Sequence, residues 1–212
     1  MPIEDDEDIP YGENFHDAAE AAAWAEAAGK KRPWRPQIFE RFAAAVNGSQ
    51  PPAPRVLELG SGPGFLAEHV LGRCAAIARY TLLDFSEAML AQSRTRLARY
   101  AERTRFVQAD FKSESWPAAA GGPFDFVISL QAIHELRHKR HAPRLYAQAR
   151  TLLAPGAELI VCDHLPEMEP SERRRVLYLN RDEYLALLAA AGFAEPQVVW
   201  CEHQMAMYRA RA

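Results

Sequence analysis

Val56-Leu57-Glu58-Leu59-Gly60-Ser61-Gly62-Pro63-Gly64-Phe65 is the stretch that decides how this chain is read. An apolar strand runs into a tight glycine turn, and a helix is expected to follow. Glycines there let the backbone approach a ligand with no Cβ in the way. The unpaired N–H groups at a helix start add a positive end. In an open α/β sheet such a crevice lies at the carboxyl ends of the strands, where ligands bind. A dinucleotide fingerprint, G-x-G-x-x-G, would place its third glycine at position 65. Phe65 stands there, and the third glycine is Gly64, giving G-x-G-x-G.

Working outward, short apolar runs alternate with helical patterns. Strands are expected at Arg55–Leu59, Tyr80–Leu83, Arg105–Gln108, Phe124–Leu130, Glu158–Cys162, Gln197–Cys201 and Gln204–Arg209. Helices are expected at Gly64–Arg73, Ser86–Glu102, Pro143–Leu153 (ended by Pro155-Gly156) and Arg181–Ala191. Phe124–Leu130 has almost no polar residue, as a strand covered on both faces should. This βαβα succession implies a largely parallel sheet with helices on both sides. Upstream, residues 14–47 read as helical, with Gly29 stopping a first run, Lys30 to Pro36 forming a basic hinge, and Ile38, Phe39, Phe42 and Val46 marking a second stripe. Gly48 to Pro54 reads as the joint to the main domain and Ala118–Gly122 as a loop.

A chain of 212 residues, 49% of them hydrophobic, suits one α/β domain with a full core. The net charge of −3 carries no nucleic-acid footprint. The first thirteen residues hold six acids (Glu4, Asp5, Asp6, Glu7, Asp8, Glu13) and no base, so a solvated, mobile terminus is expected there. Cys74, Cys162 and Cys201 are odd in number and widely spaced, which suggests neither a disulfide framework nor a metal cluster. A reducing cytoplasm is the expected home. The acidic start does not resemble a signal peptide, and no apolar run approaches the roughly 18 residues that span a bilayer.

The glycine spacing, with Glu58 two residues before Gly60, resembles motif I of the class I S-adenosylmethionine (SAM)-dependent methyltransferases. Five further stretches match that family in order. These are Thr81-Leu82-Leu83-Asp84, Gln108-Ala109-Asp110-Phe111, Asp125-Phe126-Val127-Ile128-Ser129-Leu130, Leu152-Leu153-Ala154-Pro155-Gly156-Ala157 (Ala157 replacing a usual glycine) and Ala189-Ala190-Ala191-Gly192-Phe193. The resemblance covers about residues 38 to 210. It implies a Rossmann-like three-layer sandwich: a mostly parallel seven-stranded sheet with an antiparallel last strand, here preceded by an N-terminal helical cap. The expected organisation is an acidic N-terminus (1–13), a helical cap or lid (14–50) and a SAM-binding domain (51–212).

The resemblance also implies roles. Glu58, Gly60, Ser61, Gly62 and Gly64 would cradle SAM, leaving S-adenosylhomocysteine (SAH) as product. Asp84 would accept from the ribose hydroxyls, whose two donors suit two carboxylate oxygens. Phe85, Met89, Phe111 and Leu130 would line the cofactor pocket, and Asp110 would accept from the adenine amino group. Arg35 is placed to reach the methionine carboxylate. A small-molecule acceptor with an O- or N-nucleophile would lie over the fourth and fifth strands, near Gln131, His134, Glu135, Asp163 and His164, with His134 or His164 as a candidate general base. Trp24, Trp34 and Tyr11 are candidate walls of a lid. Neither nucleic acid nor membrane is expected as a partner, and a homodimer stays open.

Two competing readings are weaker. An NAD(P)-dependent oxidoreductase is opposed by Phe65 and by Asp110-Phe111. A SAM-binding protein without methyl transfer shares the same motifs. His134-Glu135-Leu136-Arg137-His138 also spells H-E-x-x-H, which on a helix would hold zinc. It directly follows a buried strand, with Pro143 close behind, so it reads as a connection and no metal site is expected. Arg137–Arg144 and Arg173-Arg174-Arg175 read as solvated basic faces.

Overall fold

The central strand explains the architecture. In the computed structural model, which describes residues 7–48, 51–166 and 172–212, β1 (Arg55–Leu59) pairs in parallel with β2 (Arg79–Asp84) on one side and β4 (Phe124–Leu130) on the other. With neighbours on both edges and helices on both faces, its side chains have nowhere polar to go, and Val56, Leu57 and Leu59 are fully buried. β3 (Thr104–Gln108), β5 (Leu153–His164), β6 (Ala194–Glu202) and β7 (Met205–Arg211) complete a seven-stranded sheet in the order β3-β2-β1-β4-β5-β7-β6. β7 alone runs antiparallel to its neighbours β5 and β6. The strand order reverses between β1 and β4, which opens a crevice at their carboxyl ends.

Eight α-helices flank the sheet among the described residues. α2 (Arg35–Asn47), α3 (Phe65–Arg73) and α4 (Glu87–Arg96) cover one face through Ile38, Phe42, Leu66, Val70 and Leu90. α5 (Trp116–Ala120), α6 (Ala142–Thr151) and α8 (Arg181–Ala190) cover the other through Trp116, Leu145, Tyr146, Tyr184 and Leu188. α1 (Ala18–Lys31) lies over α4, with Ala21 packed in a cluster with Phe15 and Met89. α7 (Glu172–Leu177) follows β5. No helix of the described residues is long and apolar enough to cross a membrane.

Several local expectations are corrected. Gly29 does not stop α1, because the alanines around it outweigh a glycine cost of about 1 kcal/mol; the helix ends at Lys31, just before Arg32-Pro33. α4 stops at Arg96, and a 3-10 turn over Ala98–Arg103 replaces the rest of the expected helix. The stretch read as a loop at Ala118–Gly122 begins inside α5, which buries Trp116 and Ala120. Pro155-Gly156 lies within β5 rather than ending a helix. Proline offers no N–H to the ladder, and the pairing with β4 jumps there from Phe124↔Leu153 to Phe126↔Glu158.

The N-terminal acidic stretch also differs from a solvated run where it is described. Ile9 is 4% exposed, and Asp8 pairs with Lys112 (2.8 Å), Arg140 (2.9 Å) and His141 (2.7 Å). Residues 1–6, the joint at 49–50 and the side chains of Arg173 and Arg174 lie outside the described residues.

Replacing Leu57 by Ala in this fully buried strand should cost about 2–5 kcal/mol. The same change at Val199, which is 42% exposed on β6, should stay within about 0.5 kcal/mol. Urea denaturation of both variants checks the contrast.

Candidate active site

The glycine turn leaves β1 with three residues in the left-handed region, Gly60 (φ 65°), Gly62 (φ 53°) and Gly64 (φ 79°). Each has its own reason. A Cβ on Gly60 would fall 2.3 Å from the Ala132 Cβ, in the loop after β4, while one on Gly64 would meet the Ser93 hydroxyl of α4 at 2.9 Å. At Gly62 there is open space, because that residue faces the crevice. The turn is tied to the end of β2. The Gly60 and Ser61 N–H groups donate to the Leu83 carbonyl (2.8 and 3.1 Å), and the Gly62 N–H donates to Asp84 Oδ2 (2.7 Å). Asp84 Oδ1 accepts from the Ser86 N–H (2.9 Å). Burial pushes the Asp84 carboxyl up to about 6, against the pull of these two donors. Glu58, 2% exposed, accepts from the Tyr80 hydroxyl (2.7 Å). Burial raises it to about 8, the Tyr80 bond opposes that shift, and Asp84 adds repulsion.

These residues border a cleft of about 180 Å³ that opens to solvent. Of the expected cofactor residues, Glu58, Gly60, Ser61, Gly62, Asp84, Phe85, Met89, Phe111 and Leu130 all line it. Gly64 stands behind the turn against α4. Asp110 is exposed and is not among the lining residues; its carboxylate accepts the Lys112 N–H (2.7 Å), a local turn. Arg35 and Trp24 line the cleft as expected, whereas Trp34 instead stacks on His203, with ring centroids 5.4 Å apart. The sequence reading missed Arg32, Glu13, Phe15 and Ala132 as cleft residues. Only their position near the hinge before Pro33 or next to a motif could have pointed to them.

Two cleft atoms are buried without a hydrogen-bond partner: Ser61 Oγ and Arg35 Nε. Arg35 lies near the faces of Phe39 and Phe65 (5.4 and 5.7 Å), and burial together with the neighbouring Arg32 lowers its guanidinium to about 10.

Over the ends of β4 and β5, His134 is held from both sides. Its Nδ1 faces Asp163 Oδ1 at 2.9 Å and its Nε2 faces Glu135 Oε1 at 3.3 Å, while its backbone N–H donates to Asp163 Oδ2 (3.1 Å). Burial alone would lower the imidazole, but the two carboxylates prevail and lift it to about 10. Their own burial is likewise outweighed, so both carboxyls are held below their usual range. His164 lies outside the cleft lining, in a small cavity beyond His134, and its Nε2 accepts from the Gln131 amide (2.9 Å). Gln131 has φ 53°, a left-handed conformation that aims it off the strand end into the cleft.

The H-E-x-x-H residues do not form a helical turn. Ile133–Leu136 is a 3-10 turn, Arg137 sits at φ 65°, and His138 accepts the Arg140 N–H (2.9 Å). Arg137, expected on a solvated face, is 5% exposed. Its Nε donates to the Ile9 carbonyl (2.8 Å), and the Ile9 N–H donates to the Arg137 carbonyl (2.9 Å). From there Tyr11 packs on Phe85 (5.9 Å), and the Ser86 hydroxyl donates to the Phe15 carbonyl, so residues 9–15 strap the cleft mouth.

A family model described as a methyltransferase domain matches residues 56–156, from β1 through the start of β5. That match spans just under half of the chain and resembles the class I SAM-dependent methyltransferases, whose fold the chain shares. It is 29% identical over 173 residues to the trans-aconitate 2-methyltransferase of Variovorax paradoxus, covering 77% of this chain and 59% of that protein. An O-methyltransferase family protein from Burkholderia thailandensis superposes with a TM-score of 0.75 at 15% identity, covering 92% of this chain and 60% of that one. Human N-acetylserotonin methyltransferase, solved in complex with SAM, gives a TM-score of 0.70 at 18% identity over 93% of this chain and 57% of that one. The chain spans less than two thirds of each of these proteins.

Two outcomes follow. Gly60→Ala combines a positive φ with a 2.3 Å clash and should lower the melting temperature well beyond Gly62→Ala, which bears only the left-handed strain of about 1–2 kcal/mol. His134, raised from 6.5 to about 10, stabilises the fold fully below about pH 6.5, and that contribution is lost as pH rises through about 10. Melting temperatures between pH 6 and 10 should therefore fall more steeply in the wild type than in His134→Asn.

Proposed function

We propose that this chain transfers a methyl group from SAM to a small-molecule acceptor. The observation that carries the reading is the buried Asp84 carboxylate, fixed under the glycine turn by the Gly62 and Ser86 N–H groups with its face toward the cleft. The residues fit the cofactor on further grounds. The Gly60 position leaves no room for a side chain, and the unpartnered Ser61 Oγ and Arg35 Nε supply a donor-acceptor and a cation where a polar ligand would complete them.

In this reading Asp84 accepts from the ribose hydroxyls. Phe85, Met89 and Phe111 enclose the adenine, and Leu130 supports it from β4. Asp110 reaches the adenine amino group from outside the cleft rim by a turn of its side chain. Glu58 faces the amino end of the methionine moiety, and Arg35 pairs with its carboxylate. Gly64 keeps the turn close to α4. When bound, SAM supplies a methyl group already activated by its sulfonium. The chain's own contribution is alignment and exclusion of water. Residues 9–15 and α1 close the mouth, with Phe15 and Trp24 as its apolar wall. Residues 14–50 act as the lid, and 51–212 as the catalytic body.

Calorimetry with SAH tests this directly. Micromolar binding is expected, weakened at least tenfold in Asp84→Ala. Tight binding of NAD with no response to SAM or SAH would overturn it in favour of an oxidoreductase.

A further inference from the structure

Resting on that reading of the cleft, the geometry points to an acceptor that is a small carboxylic acid, methylated on its carboxylate oxygen and held by Arg32. Two independent features of the cleft carry this.

The first is a pair of cations without anions. Arg32 closes α1 and Arg35 opens α2, so the hinge delivers both guanidinium groups to one wall of the cleft. Among the described residues neither makes a side-chain hydrogen bond or ion pair; Arg35 is drawn only by the charge of Glu58, and its Nε is buried. The acids of the cleft are mostly taken. Asp84 holds two backbone N–H groups, Glu58 holds Tyr80, and Glu135 holds His134 and Arg137, leaving Glu13 at the exposed rim. Two like charges held side by side on a partly desolvated wall oppose one another, and a bound anion relieves them. The cofactor brings one carboxylate, balanced by its own ammonium. Once Arg35 has taken that carboxylate, Arg32 is left for the second ligand. A planar guanidinium beside a carboxylate is the pairing that fits best.

The second feature is that, among the described residues, no base is available where the acceptor would sit. Both nitrogens of His134 point at carboxylates, Asp163 and Glu135, so both carry protons. On its other sides His134 meets the rings of His164 (5.5 Å) and Tyr178 (5.4 Å). The lone pair of His164 Nε2 is committed to the Gln131 amide. Glu135 is bound by His134 and Arg137. Tyr11, pushed up to about 12 by burial and by nearby carboxylates, stays protonated. A phenol, alcohol or ammonium acceptor must lose a proton before or during attack; a carboxylate has already lost it at neutral pH. The step then balances with no proton moved. A lone pair of the carboxylate oxygen forms the O–CH3 bond as the S–CH3 bond breaks. The bonding pair stays on sulfur, and an anion plus a sulfonium become a neutral methyl ester and a thioether.

The test titrates SAH-saturated protein with benzoate, citrate and trans-aconitate, and with the methyl ester of each, by calorimetry. At least one acid should bind and its fully esterified form should not. Arg32→Gln should weaken the acid at least tenfold while leaving SAH affinity within about twofold; Arg32→Lys should restore part of the acid binding. With radiolabelled SAM the product should release methanol in alkali, and kcat at saturating SAM should show no tenfold rise per pH unit between pH 6 and 8.5. The proposal is overturned if none of the acids binds, if Arg32→Gln weakens SAH and not the acid, or if kcat rises tenfold per pH unit as a titrating base requires. Failure of SAH itself to bind would instead remove the underlying methyltransferase reading.

Discussion

The Asp84 carboxylate ties together two loops at the ends of neighbouring strands. One oxygen takes the Gly62 N–H of the turn after β1, the other the Ser86 N–H that opens α4. Charge-assisted bonds of this kind are worth about 1.5–3 kcal/mol each, and they hold the carboxylate in a site whose burial raises it to about 6. Everything else in the cleft is positioned from that join. Ser86 caps α4 and donates to the Phe15 carbonyl, which fixes one end of the strap. Ser93, two turns into the same helix, donates to the Gly62 carbonyl (2.7 Å) and fills the space behind Gly64. The glycine turn is therefore held by β2 and α4 together.

Arg137 does the corresponding work at the other end of the strap. Its left-handed backbone turns it inward, so a residue in a run of bases becomes the buried anchor for Ile9 and Pro10. Asp8 completes the attachment through Lys112, Arg140 and His141. The electrostatics of this region are thus mostly internal. The two arginines at the α1–α2 hinge stand apart because, among the described residues, neither forms an ion pair, and Arg35 feels only the nearby Glu58 carboxyl.

The strand order and much of the cleft lining were readable from sequence because both follow from short-range rules. Phe124–Leu130 announces a doubly covered strand by lacking polar residues, and its observed bounds are the expected ones. The glycine spacing at 60, 62 and 64 demands a close turn wherever it occurs. The acceptor side was harder, because its chemistry depends on which partners meet in space. His134 looked like a base until Asp163 and Glu135, from different elements, were found on both ring nitrogens. Arg32 was hidden in a hinge, and Arg137 and Asp8 looked like solvated charge because the sequence separation between them, more than a hundred residues, carries no periodic signal. The Pro155-Gly156 irregularity shows a further limit: the same residues that end a helix can also sit inside a strand.

The central claim is that Asp84 and the glycine turn form the ribose end of a SAM site, with the arginine hinge at its methionine end. A crystal structure of the chain grown with SAH tests it most directly. The account predicts both ribose hydroxyls within hydrogen-bond distance of the Asp84 carboxylate, and the homocysteine carboxylate on Arg35. Ligand density elsewhere on the molecule, or a ribose turned away from Asp84, would contradict it.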